Sequence, residues 1–142
     1  MGFSLVAAAA VIGVSILVCI EILTGSLLPA ITDVDDSYDD MVDRSIDRVQ
    51  TDINITSVST PANGQNYDHN ITIENTGSIT LNTSDFTILI NGTTQQFSCT
   101  DPYLYPEKVV YFNILNLPGT GPRRLKVITD NGISDYYEYT VS

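Results

Sequence analysis

The run Phe3–Ile20 (FSLVAAAAVIGVSILVCI) contains no charged residue, no Pro, no Asn and no Gln. At about 1.5 Å per helical residue it approaches the length that crosses a hydrocarbon core of roughly 30 Å. Ile22, Leu23, Leu27 and Leu28 carry the apolar character on to Pro29, interrupted only by Glu21 and small polar residues. The sequence therefore predicts a membrane-spanning helix over residues 1–29, with Phe3, Ile12, Ile16 and Ile20 among its anchor residues. A secretory signal has a basic start and an apolar region of about 7 to 15 residues. Met-Gly-Phe-Ser has neither Lys nor Arg, and the apolar run is longer, so a retained anchor is expected. Everything after it must then work while tethered to a bilayer.

The chain of 142 residues leaves room beyond the anchor for one small domain. Its formal net charge is −11, from six Lys and Arg against 17 Asp and Glu. Phosphate backbones need a basic surface, so nucleic acid is excluded as a partner class. Cys19 lies inside the apolar run and Cys99 far along the soluble part, so no disulfide framework is expected. With one His and no Cys/His cluster there is no ligand set for a transition metal, and no cofactor motif appears. Four sequons, at Asn54, Asn70, Asn82 and Asn91, are candidate glycosylation sites. The short N-terminal flank has no positive charge to set orientation, but an acidic, sequon-bearing C-terminal part predicts a single-pass protein with its bulk outside the cytoplasmic membrane.

After Pro29 the composition changes. Asp33, Asp35, Asp36, Asp39, Asp40, Asp43 and Asp47 crowd one stretch, while Ile31, Val34, Tyr38, Met41 and Val49 recur at helical spacing. Residues 30–51 read as an acidic helical stalk that continues the anchor after a kink or break at Pro29. Asp33-x-Asp35-Asp36 lacks the Gly and the terminal Glu of a calcium-binding loop, so the cluster reads as a solvated helix face.

From Asp52 onward a period of two replaces the helical period. Alternating or apolar runs cover Ile53–Val58, Asn70–Glu74, Ile79–Leu81, Phe86–Ile90, Gln95–Cys99, Val109–Leu115, Leu125–Thr129 and Tyr136–Val141. Turn signals separate them, and Asn91-Gly92 and Asn131-Gly132 are each expected to close a hairpin. The fold class is therefore α+β: a transmembrane helix and stalk, then an all-β sandwich of about seven strands over residues 52–142. Its core is expected to hold Ile71, Ile73, Leu81, Phe86, Ile88, Ile90, Val110, Phe112, Leu125, Val127, Tyr137 and Tyr139. Tyr103, Tyr105, Tyr111 and Tyr136 are candidates for the outside, and His69, beside Asp68 at a strand start, is expected at the surface.

No phosphate loop, nucleophile elbow or Cys/His pair is present, so no catalytic residues are nominated and a non-enzymatic protein is expected. The remaining constellation is Arg123, Arg124 and Lys126, half of all the basic residues. Arg124 and Lys126 alternate with Leu125 and Val127 and should point outward from one strand. With Tyr136 they form a candidate contact for a partner, as against charges that merely protect an edge strand from aggregation.

The opening Met-Gly-Phe-Ser, the Ala/Val/Ile-rich helix, the acidic stalk and a small sandwich together resemble the archaellum accessory proteins of the F and G types, the F type especially. Ile71-Thr72-Ile73-Glu74-Asn75-Thr76-Gly77-Ser78, followed by Ile79 to Ile90, looks like the strand-turn-strand of the immunoglobulin-like domain those proteins carry. The resemblance implies a type IV pilin-like, non-enzymatic membrane protein at the archaellum basal body, in the pseudoperiplasm. It implies surface-layer protein, a G-type accessory protein and further copies of the chain as partners, in a stator that anchors the motor. The alternative is an archaellin-like filament subunit with helices bundled in the core; the missing basic leader and the lone late Glu21 place it second.

Overall fold

The computed structural model describes residues 2–142. Helix α1 (Gly2–Ile22) passes through a π-helical turn (Leu23–Leu27) into α2 (Leu28–Gln50). The helix does not break at Pro29. Proline lacks the N–H for a bond to the residue four back, and its ring crowds that carbonyl. The wider turn just before Pro29 absorbs this misfit: the Leu28 amide donates to the Leu23 carbonyl, five residues back. The Ser15 and Thr24 hydroxyls donate to the carbonyls of Val11 and Ile20, both at 2.8 Å, which satisfies these two donors within the helix. The helix is long and apolar enough to cross a membrane, and its side chains are uncovered, Phe3, Ile12, Ile16 and Ile20 included.

Residues 1–43 and 44–142 form two compact units. The second contains the end of α2 and eleven antiparallel strands: β1 (Ile53–Ser59), β2 (Ala62–Asn63), β3 (Asn66–Asn75), β4 (Leu81–Asn82), β5 (Thr87–Ile90), β6 (Thr93–Gln95), β7 (Ser98–Cys99), β8 (Tyr103–Leu104), β9 (Val109–Pro118), β10 (Gly121–Ile128) and β11 (Ser134–Val141). One sheet runs β1-β3-β9-β7, with β2 added beside β3; the other runs β11-β10-β5-β6, and β4 with β8 forms a short ribbon. This is an immunoglobulin-like sandwich.

Inward residues of the two sheets build one core. Phe112 sits at its centre, 5.3 Å from the Phe86 ring and 5.1 Å from that of Phe97. The expected core residues are buried, except that Tyr137 and Tyr139 are only half covered; Ile53, Ile55, Tyr67, Leu104, Ile114, Leu117 and Val141 join them. Both expected hairpins form. Asn91 (φ 49°) and Gly92 (φ 84°) join β5 to β6, and the loop with Gly132 (φ 78°) joins β10 to β11.

Two expectations need correction. The single run Gln95–Cys99 is two strands: β6 pairs with β5 in one sheet, and β7 pairs with β9 in the other. The chain changes sheets at Gln96 and Phe97, and Phe97 packs into the core on the way. His69 is fully buried rather than on the surface. The alternation of Ile71, Ile73 and Asn75 extends backward through His69 to Tyr67, so β3 turns all of them inward.

Irregular strands are tied by specific side chains. The β3–β9 register shifts between Tyr67 and His69, with Asn116 of β9 at φ 61°. The Asp68 carboxylate accepts from the Asn116 amide at 2.9 Å and from the Asn63 side chain at 3.0 Å. Those bonds, Asn63 first, hold its pKa below the usual carboxylate value. A bulge in β1 frees the Ile55 amide, which donates to Asp135 of β11 at 2.8 Å and so links the edges of the two sheets.

The turn after β3 grips the end of α2. Asn75 is fully buried; its Nδ2 donates to the carbonyls of Ile79 (2.7 Å) and Leu104 (3.0 Å), and its Oδ1 accepts from Gly77 N–H (3.0 Å). Ser78 N–H then reaches the Gln50 carbonyl at 2.9 Å, and those of Thr76 and Gly77 reach the Asp52 carbonyl, both at 3.0 Å. A Cβ on Gly77 would run into the Gln50 carbonyl and the Asp52 amide. Gly77→Ala should lower the stability of the sandwich by about 2 kcal/mol or more, and Asn75→Ala by about 3 kcal/mol, through stranded buried groups. Gly13→Ala, where nothing lies within 4 Å, should be neutral. Denaturant unfolding of the full chain in detergent, followed by tyrosine fluorescence, measures all three.

Candidate functional site

Strand β10 presents Leu125 and Val127 to the core, so Arg124 and Lys126 face outward. In the β10–β11 register Lys126 stands opposite Tyr136, and Arg124 opposite Glu138. Both cations gather on the Tyr136 ring, with the Arg124 guanidinium carbon 4.5 Å and the Lys126 ammonium 4.9 Å from its centroid. The Lys126 ammonium beside the Tyr136 hydroxyl lowers its pKa, and the Arg124 charge adds to this. Asn91 fixes the neighbouring hairpin: its Oδ1 accepts from the Arg124 amide at 2.9 Å, and its own amide donates to the Arg124 carbonyl at 2.9 Å. The result is an open groove of about 370 Å³ lined by Leu89, Asn91, Gly92, Arg124, Lys126 and Tyr136.

Arg123 does not belong to this groove. It alternates with Arg124 and sits on the other face of β10, where it donates to the Pro118 carbonyl at 3.1 Å and lies over Gly119. Its Nε is buried without a partner. The structure thus brings together three of the four nominated contact residues and assigns Arg123 to the β9–β10 turn. Asn91 and Leu89 escaped sequence reasoning at this site, because they reach it through sheet pairing; the Asn91-Gly92 turn signal was the only local hint. Tyr103, Tyr105, Tyr111 and Tyr136 are all exposed.

The four sequon residues are exposed. Asn54 and Asn70 lie on the outer face of the sheet opposite the groove, on β1 and β3. Asn82 and Asn91 make their side-chain bonds through Oδ1, not through the Nδ2 that a glycan would take. Cys19 and Cys99 are both free. Among the described residues, no three His, Cys, Asp or Glu side chains converge. The chemistry the groove offers is recognition of negative charge.

A family model for archaeal-type flagellin matches residues 2–139. The chain belongs to this family. Over its whole length it is also similar to a flagella-related protein F of Methanocaldococcus jannaschii, with 30% identity over 146 residues, covering 99% of this chain and 100% of the relative. Among solved structures, the sandwich is similar to the archaellum periplasmic stator protein FlaG from Sulfolobus acidocaldarius. The TM-score is 0.54 at 20% identity, covering 63% of this chain and 99% of that one. This is an archaellum accessory protein of the F and G kind, from a family of structural archaellum components, and its N-terminal helix fits a membrane-anchored component.

His69 is a strongly perturbed titrating group inside the sandwich. Its ring stacks on Tyr139 at 4.5 Å and meets Tyr67 edge-on at 6.3 Å, and neither ring nitrogen has a hydrogen-bond partner. The Tyr67 and Tyr139 hydroxyls lie 3.4 Å apart, and burial, then this pairing, pushes the Tyr139 phenol up. Burial pushes His69 down from 6.5 to about 4. Between those values the unfolded chain binds the proton and the folded chain does not. Stability should be complete above about pH 6.5 and fall by up to about 3 kcal/mol as the pH drops to about 4. His69→Phe should remove that component while leaving stability at pH 7 equal or higher; denaturant midpoints at pH 7 and pH 4.5 compare the two proteins.

Proposed function

We propose that this archaellum protein is a structural, non-catalytic tether. Its helix over residues 1–29 spans the cytoplasmic membrane, residues 30–51 form a stalk, and the sandwich over residues 52–142 lies outside. There the sandwich binds the surface layer and anchors the motor as part of its stator, beside a G-type accessory protein and further copies of the chain. The observation that carries this reading is the sandwich itself, which is similar to a protein described as an archaellum periplasmic stator across 99% of that protein's length. The full-length similarity to a protein F supports it. Torque on a rotating filament needs a fixed reaction point, and a single-pass anchor joined to a sandwich by a hydrogen-bonded turn supplies one. The exposed positions of Asn54, Asn70, Asn82 and Asn91 fit glycosylation outside the cell.

A second reading, an archaellin-like filament subunit, has one observation of its own. Ile31, Val34, Tyr38 and Val49 form an uncovered apolar stripe on α2, which helix bundling in a filament core would bury.

The stator reading predicts that the full chain in detergent micelles is retained by isolated surface-layer sheets at low and moderate salt. It also predicts that Ile12→Lys/Ile16→Lys, at a cost of about 3 kcal/mol per charge at membrane depth, moves the protein from the membrane to the soluble fraction. Absence of retention, or sheared filaments with this chain as their major band, would reverse the ranking.

A further inference from the structure

Of the six Lys and Arg residues, two gather on one aromatic ring on one sheet face. Arg44 and Arg48 lie on α2 in or beside the Asp-rich stretch, Lys108 sits in the turn before β9, and Arg123 is tied to Pro118. Arg124 and Lys126 differ from these in sharing the outer face of β10 and the ring of Tyr136. Among the described residues neither is engaged by a carboxylate; Glu138 stands across from Arg124 in register without forming an ion pair. On a protein of net charge −11, the rest of the surface repels acidic groups, so this pair sets both where and in which register such a partner docks.

The spacing narrows the ligand. Residues two apart on one strand face are separated by about 6 to 7 Å. An extended acidic polypeptide carries its own alternate carboxylates at the same interval, so two of them meet the two cations in one register. The open groove of about 370 Å³ beside the cations, lined also by Leu89, Asn91 and Gly92, gives room for such a chain. We propose that the outer face of β10, through Arg124 and Lys126 positioned by Tyr136, docks an extended acidic segment of the surface-layer protein. The identity of that partner rests on the stator reading; the site does not.

The test uses the full chain in zwitterionic detergent and a fluorescent peptide of alternating Asp and Thr, with its Asn/Thr counterpart as reference. Anisotropy titration should show the Asp peptide binding at least about tenfold tighter than the Asn peptide, weakening as salt rises. Arg124→Gln/Lys126→Gln should lose at least about tenfold in affinity, while Arg44→Gln/Arg48→Gln keeps it. Both pairs are surface changes, and far-UV circular dichroism verifies their folding. Equal affinity for the two peptides, unchanged binding by the Arg124/Lys126 variant, or a preference for a sulfated oligosaccharide over the peptide would overturn the site. So would self-association of the chain that this variant abolishes, since the face would then belong to a second copy. Retention on surface-layer sheets separates the two claims. If the variant is still retained, the anchoring role stands and this docking face falls. If the wild type is not retained but binds the peptide through this pair, the site stands and the partner falls.

Discussion

The sandwich depends on the satisfaction of a few backbone groups where the helix hands over to the first strand. A helix ends with carbonyls that have no partner of their own. Here the turn after β3 supplies one for Gln50, through Ser78, and two more donors for the Asp52 carbonyl just beyond. That turn can approach so closely only because residue 77 has no side chain, and it keeps its shape because Asn75 holds it from inside the core. Asn131 adds a bond to Thr51 at 2.7 Å from the opposite sheet, so both layers hold the helix end. A pull on the C-terminal end of α2 therefore meets a hydrogen-bonded joint and not a flexible linker. That is the property a tether requires.

The two outer faces of the sandwich differ in chemistry because each is written by a different set of alternating residues. The sheet holding β1, β3 and β9 turns Asn, Thr and Tyr outward, two sequon residues among them. The sheet holding β10 and β11 turns out two cations and an aromatic ring. One small domain thus carries two chemically distinct outer faces. Between them the core tolerates one imidazole, His69, whose nitrogens find no partner. Burial beside Tyr67 and Tyr139 favours its neutral form, which is the physical basis of the stability loss expected in acid.

Much of this was legible beforehand, and the exceptions have identifiable causes. The apolar run, the acidic stretch and the switch from a period of 3.6 to a period of two mark the N-terminal helix, its acidic continuation and the sandwich. At Pro29, where a kink or break is expected, the helix runs on through a π-helical turn, which relieves a proline in a way that single-residue propensity does not register. Gln95 to Cys99 reads as one strand because its composition is uniform, but the sheets it pairs with are not. His69 was assigned to the surface from its polarity and neighbours, although the phase set by Ile71 and Ile73 already turned it inward.

The sequence by itself determined which residues face in and which face out, because alternation in a strand and the apolar stripe of a helix are local geometry. It placed Arg124 and Lys126 on one face for that reason. Only the tertiary structure decided that Tyr136 and Asn91 stand beside them, that Arg123 folds away over a turn, and that Gly77 meets the end of the helix. Those facts depend on strand partners chosen by packing across long stretches of chain, and no local pattern encodes which strand will lie next to which.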